Sequence, residues 1–297
     1  MSYDIIGEIA IIYPPVDDLD KIVNKILKHH KYVKAIYLKT DKLETELRLP
    51  KLKLLYGEPI LETTYKENKC VFKLRVDKVY FSPRLSTERK EFIDLVKDNE
   101  KILIPFAGVN PYPIVIAKHR KVQIKSIELN PWAVKYGIIN TKLNKVNVDT
   151  ILADFGIAWK YIRNLHNKEG IVTKYVNELL KAKPELDLVY TNEEYYDLLN
   201  QYYNTKLIEE LKPGIEYFDR IIMPLPKGGE HFIFEALVLA KKYIHLYSFA
   251  HEKEIEQKVK EIIDIASQLR EIKHYDYKIV GDIGVRKYRI RINIYLI

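Results

Sequence analysis

Three stretches of this 297-residue chain place residues suited to holding a nucleoside at what read as consecutive strand ends. Phe106-Ala107-Gly108-Val109-Asn110-Pro111 follows an apolar run and opens a helix. Tight backbone turns there let a ligand approach the carboxyl end of the strand, where open α/β sheets bind ligands. One strand later, Ile127-Glu128-Leu129-Asn130-Pro131 offers an acid that can accept hydrogen bonds from both hydroxyls of a ribose. The next strand end, Ala153-Asp154-Phe155, carries a carboxylate suited to an adenine amino group and a ring suited to its face. A turn, an acid and a second acid in succession point to a nucleoside cofactor held by Phe106, Ala107, Gly108, Glu128, Leu129, Asn130, Asp154 and Phe155.

Alternating strands and helices must position these residues. From Ser86 onward the pattern reads as a helix capped by Ser86 or Thr87, then KILIPF, a helix near 111–118, VQIKSIEL, a helix near 131–143, and DTILAD. Such alternation predicts βαβ units and a parallel sheet with helices on both faces. FDRIIMPL and KYIHLYSF continue it, and DYKIVGDI and KYRIRINIYLI read as an antiparallel finish, the topology of a class I methyltransferase sheet with a reversed last strand. The first 80 or so residues differ. IIGEIAIIY, VKAIYLKT, CVFKLRV and KVYF read as strands, and Leu19, Ile22, Val23, Ile26 and Leu27 share a helical face between the first two, which predicts a small α+β unit. Pro14 and Pro15 end the first strand, and Pro50 marks a loop or sheet edge. Residues of about 160–215 are helix-prone and tyrosine-rich and break the rhythm, so they read as an inserted helical subdomain.

Composition bounds the partners. Lys and Arg number 49 against 41 Asp and Glu, a formal charge of +8, which favours a polyanion. There are 23 tyrosines, a number that compositional bias explains better than base stacking does for most of them. Cys70 is the single cysteine, no Cys/His set has zinc-ligand spacing, and no apolar run is long enough to span a membrane. No secretory leader is read before the first strand, so a metal-independent cytoplasmic protein is expected.

Four words in the chain resemble the archaeal and eukaryotic tRNA (guanine-37-N1)-methyltransferases, which use S-adenosylmethionine on a Rossmann-like domain. They are Tyr80-Phe81-Ser82-Pro83-Arg84-Leu85-Ser86-Thr87-Glu88-Arg89, then FAGV, then ELNPWAVKYGIINTKLNKV, then Asp219-Arg220-Ile221-Ile222-Met223-Pro224-Leu225-Pro226-Lys227. Their order covers the chain from about residue 3 to its end, apart from the insertion. The resemblance implies a small tRNA-binding unit over 1–84 and a methyltransferase domain over 85–297. The family's separate N-terminal tRNA-elbow domain is missing on this reading. It also implies the anticodon stem-loop of tRNA, with guanine 37, as partner; a monomer with neither metal nor membrane is expected.

On that resemblance, Glu88 matches the position of the base and Arg48 the position that stabilises charge on O6. Without it, Glu88 reads as an ordinary first-turn acid favoured by the helix dipole. N1 of guanine carries a proton and is not nucleophilic until that proton leaves, so a base near N1 and positive charge near O6 are the chemistry required. Tyr80 and Pro83 correspond to residues lining the cofactor pocket, and Arg84 to one that touches the cofactor or shapes that pocket. Pro224, Leu225 and Pro226 form a wall beside the target base, which must leave its stack. Arg48, Lys51 and Lys227 are expected on RNA, with Lys39, Lys42 and Lys53 as further phosphate contacts.

Three positions depart from the family pattern: Ile104 where an aspartate is usual, Asn110 where a glycine is usual, and Pro224 where an asparagine is usual. The first two imply a different hold on the methionine end of the cofactor. They also keep open a non-catalytic tRNA-binding protein on a degenerate scaffold. Pro224 keeps open a wyosine-pathway activity, either methylation of the carbon of the tricyclic intermediate or aminocarboxypropyl transfer.

Overall fold

A computed structural model of the chain describes residues 2–40, 50–167, 176–177, 180–181, 214–225 and 227–297. The opening apolar run is not one strand. It folds back at Gly7, whose φ of +56° is left-handed and where a Cβ would lie 2.3 Å from the Thr64 carbonyl oxygen, so only glycine fits. The result is an antiparallel pair, β1 (Ser2–Ile6) and β2 (Ile9–Tyr13). Helix α1 (Leu19–His29) is capped by Asp18, whose carboxylate accepts the Lys21 N–H at 2.9 Å, and carries the chain to β3 (Ala35–Lys39), parallel to β2. Strand β4 (Leu52–Gly57) closes the order β1-β2-β3-β4 as the edge foreshadowed by Pro50. Alternation turns Ala10, Ile12 and Ile36 toward Ile22 and Ile26 of α1, and Ile9, Ile11, Ala35 and Tyr37 toward the rest of the molecule.

A hairpin follows, β5 (Glu62–Glu67) and β6 (Cys70–Arg75), turned by Asn68 and Lys69, both with positive φ as the favoured two-residue hairpin turn requires. The segment KVYF after it is not a strand. The 3-10 turn Pro83–Leu85 leads into α2 (Ser86–Leu95), so the residue before the helix is Leu85 and neither Ser86 nor Thr87 caps it.

Next come β7 (Lys101–Pro105), α3 (Pro111–His119), β8 (Gln123–Glu128), α4 (Pro131–Leu143), β9 (Asp149–Leu152) and α5 (Phe155–Ala158). After the insertion the chain resumes as β10 (Phe218–Met223), α6 (Ile233–Leu239), β11 (Ala240–His251), α7 (Ile255–Leu269), β12 (Ile272–Gly284) and β13 (Lys287–Leu296). The seven strands run in the order β12-β13-β11-β10-β7-β8-β9, with β13 antiparallel to both neighbours. This is the expected Rossmann-like α/β sheet with its reversed last strand. Direction of winding changes between β7 and β10, the switch point outside which such sheets bind ligands.

Two asparagines of α4 join the hairpin to this sheet. Asn140 and Asn144 each accept a backbone N–H of β6 (from Lys73 at 2.7 Å and Val71 at 2.8 Å) and donate to the carbonyl of the same residue at 3.0 and 2.6 Å. Four residues of helix advance about 6 Å and two of strand about 6.8 Å, so the two amides stand in for a missing neighbouring strand. Cys70 and Phe72 thereby share a core with Ile9, Ile11, Val109, Ile114 and Ala133. The expected boundary at 84 therefore lies beyond a hairpin that packs on the larger unit.

The insertion leaves and re-enters at a pinned base. Arg163 N–H donates to Gly214 at 3.0 Å and Gly214 N–H to Lys160 at 2.9 Å. Buried Lys125 on β8 donates to the carbonyls of Ile162 and Leu165 and to Glu216. Most of 160–215 lies outside the described residues.

Candidate active site

The loop closing β7 is left-handed at every second residue: Phe106 (φ 59°), Gly108 (φ 57°) and Asn110 (φ 64°). A phenylalanine there is uncommon and costs energy, which the surroundings must offset. Its ring packs on Phe155 (centroids 5.7 Å) and Phe232 (5.0 Å), and the next N–H donates to the Ile127 carbonyl. The geometry serves Glu128. Gly108 N–H reaches its Oε2 at 2.7 Å and Asn130 N–H its Oε1 at 2.8 Å, so two backbone donors fix this carboxylate at the end of β8. A Cβ on Gly108 would meet only the Tyr80 carbonyl, at 3.9 Å, so open space lies in front of the glycine.

Asn130 caps α4 through the N–H groups of Trp132 and Ala133, and its amide donates to the Lys78 carbonyl at 2.9 Å, drawing the Tyr80 segment to the same place. Asp154 caps α5 by accepting the Gly156 N–H at 2.8 Å. Phe155 is buried and its ring is committed to the core, whereas Leu129 is half-buried. Ala107, Gly108, Glu128 and Asn130 thus come together around one opening.

Two of the departures have a physical reading. Asn110 adopts the left-handed backbone a glycine would, and asparagine tolerates it best among residues with a side chain. Its amide turns into the core, where Nδ2 donates to Thr150 at 2.8 Å and Gly137 leaves room for it. Ile104 is fully buried against Phe92, Tyr112 and Tyr247 and brings no polar group to the opening.

The Tyr80 carbonyl faces Gly108 across this opening, and the segment runs on from it to Arg89. Arg89, absent from the sequence-based site, is almost wholly buried and holds Glu67 of β5 in a bidentate pair (2.5 and 2.6 Å), donates to the Ser82 carbonyl and lies over the Phe81 ring. Arg84 pairs with Asp4 of β1 at 2.6 Å and lies over the Tyr13 ring, linking the two units. Between them opens a cleft lined by Tyr13, Lys39, Pro50, Tyr80 and Phe81. Lys39 stands over the same Tyr13 ring, and burial lowers its pKa. Burial and the Asp4 carboxylate raise that of Tyr13.

Glu88 is buried on the third residue of α2. Its Oε1 accepts both the Tyr247 hydroxyl and Arg291 Nη1, the latter at 2.5 Å. Burial pushes the carboxyl above its ordinary range, and Arg291 and the Tyr247 hydrogen bond hold it back. Tyr247 and Arg291 were not found by sequence reasoning. They lie in strands whose alternation is legible, but only cross-strand register places them opposite each other.

Pro224 and Leu225 follow β10, with Leu225 N–H turned back to Met223 at 2.8 Å, and Lys227 is exposed just beyond. Lys51 and Lys53 are exposed near and on β4. Arg48, Lys42 and Pro226 lie outside the described residues. Among the described residues no cluster of three His, Cys, Asp or Glu could hold a metal, and no helix is long and apolar enough to cross a membrane.

Comparison with known proteins bears on this geometry. Residues 63–181 match the TRM5/TYW2 methyltransferase domain. The tRNA (guanine(37)-N(1))-methyltransferase Trm5b of Pyrococcus abyssi is 45% identical over 157 residues, 52% of this chain and 47% of that protein. The tRNA 4-demethylwyosine(37)-methyltransferase Taw21 of Saccharolobus solfataricus is 36% identical over 174 residues, 57% of this chain and 66% of that one. The crystal structure of Trm5b from Pyrococcus abyssi superposes with a TM-score of 0.70 at 31% identity, covering 99% of this chain and 74% of that one. The chain thus spans roughly half to two thirds of the length of these two curated relatives.

Proposed function

The chain belongs to the TRM5/TYW2 methyltransferase family, and from that premise we propose that it transfers a methyl group from S-adenosylmethionine to N1 of guanine 37 in tRNA. The observation that carries the reading is Glu88: a buried carboxyl with a raised pKa, on the helix that follows the Tyr80 segment. The site fits the cofactor. Glu128, preset by two backbone N–H groups beside an open glycine, suits ribose hydroxyls, and Asp154 suits an adenine amino group. When bound, the cofactor supplies a methyl carbon whose bond to a sulfonium breaks with the electron pair staying on sulfur.

The residues of the chain do the rest. Glu88 takes the N1 proton, freeing an electron pair on N1, and this requires the carboxylate form, so turnover falls as pH drops through its raised pKa. Arg48 stabilises the negative charge that spreads to O6. Tyr80 and Arg84 line the cofactor pocket, the Tyr13–Lys39 cleft receives the unstacked nucleotide, Pro224 walls the base, and Lys51 and Lys227 meet phosphates. The small unit, hairpin included, binds the anticodon stem-loop, and the enzyme works as a cytoplasmic monomer.

The decisive experiment is nucleoside mass spectrometry of unmodified transcripts incubated with the protein and S-adenosylmethionine, one with guanine and one with adenine at position 37. One methyl gained only on the guanine transcript is expected, and no gain on either overturns the reading. A second reading, methylation of a carbon of 4-demethylwyosine, draws on Pro224 and on the similarity to Taw21. It predicts product only from tRNA already carrying that intermediate.

A further inference from the structure

We propose that Tyr247 and Arg291 are positioning residues for the proton acceptor: both occupy Oε1 of Glu88, hold the buried carboxylate ionised, and leave Oε2 to take the proton from the substrate base. This rests on the assignment of Glu88 as the base. Tyr247 on β11 and Arg291 on β13 are direct cross-strand partners, so one rung of the sheet presents both donors to α2. Neither donor competes for the proton. The guanidinium does not deprotonate, and burial together with the neighbouring phenol and Glu88 raises the Tyr247 pKa well above its ordinary value.

The surroundings leave Arg291 as the counterion. On α2, Glu91 takes Lys278 of β12 as well as Arg291 Nη2 at 3.3 Å, and Arg89 is engaged by Glu67. On α3, the Tyr112 hydroxyl donates to the Tyr247 hydroxyl at 3.2 Å, which directs the Tyr247 proton to Glu88. On β13, Arg289 lies on the same face one rung nearer the opening and reaches the Tyr80 hydroxyl at 3.5 Å. Oε2 of Glu88 accepts no hydrogen bond from any described residue. In the step, the N1–H bond breaks, an O–H bond forms at Oε2, and the electron pair left on N1 attacks the methyl carbon.

The test compares the wild-type chain with Tyr247→Phe, Arg291→Gln and Arg291→Lys. Carbon-13 NMR of glutamate-labelled, ligand-free protein, with Glu88→Gln for assignment, gives the Glu88 titration midpoint. The pH profile of kcat on the guanine-37 transcript gives the acid limb. Removing either donor is expected to raise the midpoint by about one pH unit and to move the acid limb up with it, because each donor favours the ionised form. KM for the transcript should stay unchanged, and Arg291→Lys should recover part of the shift. A midpoint unmoved in both Tyr247→Phe and Arg291→Gln overturns the proposal. A midpoint that moves while the acid limb does not overturns it through its premise, since Glu88 is then not the acceptor, whereas methylated product in the same assay leaves the proposed reaction standing. Should Arg291→Gln fail to fold, Tyr247→Phe removes a single hydroxyl and carries the test.

Discussion

Glu88 and Glu128 are the two carboxylates of the proposed site, and their surroundings differ in the way the proposed roles need. Glu128 is held by two backbone N–H groups, which fix its orientation, as an acceptor of ribose hydroxyls requires. Glu88 is buried, and burial raises its pKa, as a proton acceptor requires. Glu88→Gln should therefore lower turnover by about 100-fold or more while cofactor affinity in calorimetry stays within about twofold. Glu128→Ala should do the reverse first, weakening cofactor binding by about 10- to 100-fold, since charge-assisted hydrogen bonds are lost. The two measurements exchange places if the roles are misassigned. Glu128 was legible in the sequence because an acid at a strand end is a local pattern. The environment of Glu88 was not, because its partners lie 159 and 203 residues away along the chain.

At the scale of elements, the join between hairpin and sheet is made by side-chain amides. Asn140→Ala would leave the Lys73 N–H and carbonyl without partners at a buried edge, and should destabilise the protein by about 2–4 kcal/mol in urea unfolding. Gly137→Ala would set a methyl 3.0 Å from Asn110 Nδ2, forcing the residue that shapes the β7 loop to move. It should cost about 1–3 kcal/mol and also weaken cofactor binding. Strand and helix periodicity placed α3, α4 and the seven-stranded sheet close to their true limits. It failed at the opening strand, since IIGEIAIIY is apolar on both sides of Gly7-Glu8 and the reversal depends on one glycine meeting β5. It also passed over β4 and β5, whose mixed exposure gives little alternation to read.

At the scale of the whole molecule, a buried polar chain ties three strands of the sheet to the loop before β7. Glu100 holds Arg220 in a pair at 2.7 Å, Arg220 Nη1 donates to His245 Nε2 at 2.6 Å, and His245 Nδ1–H donates to Asn293 Oδ1 at 2.7 Å. Burial and the Arg220 charge depress the His245 pKa well below its usual value, so the histidine stays neutral in the fold. The unfolded chain takes up a proton near pH 6.5 that the folded protein refuses. Stability is therefore full above about pH 6.5 and falls by about 1.4 kcal/mol per pH unit below it, until the folded-state pKa is reached. Urea midpoints at pH 7.5 and 5.5 should show this loss, and His245→Gln should remove that part of it.

Short-range regularities settled what could be read from the chain alone: the period of strands and helices, an acid or glycine at a strand end, and the order of words such as YFSPRL and ELNP. These determined the fold class and the family, and named the strand ends proposed to hold the cofactor. Register and packing decided what remained. They placed the Arg291–Tyr247 rung over Glu88, gave Arg84 to Asp4 and Arg89 to Glu67, and turned the Asn110 side chain into the core while keeping its backbone left-handed. Each of these depends on elements brought together by the tertiary fold, and a one-residue change of register would send Tyr247 or Arg291 to the other face of the sheet.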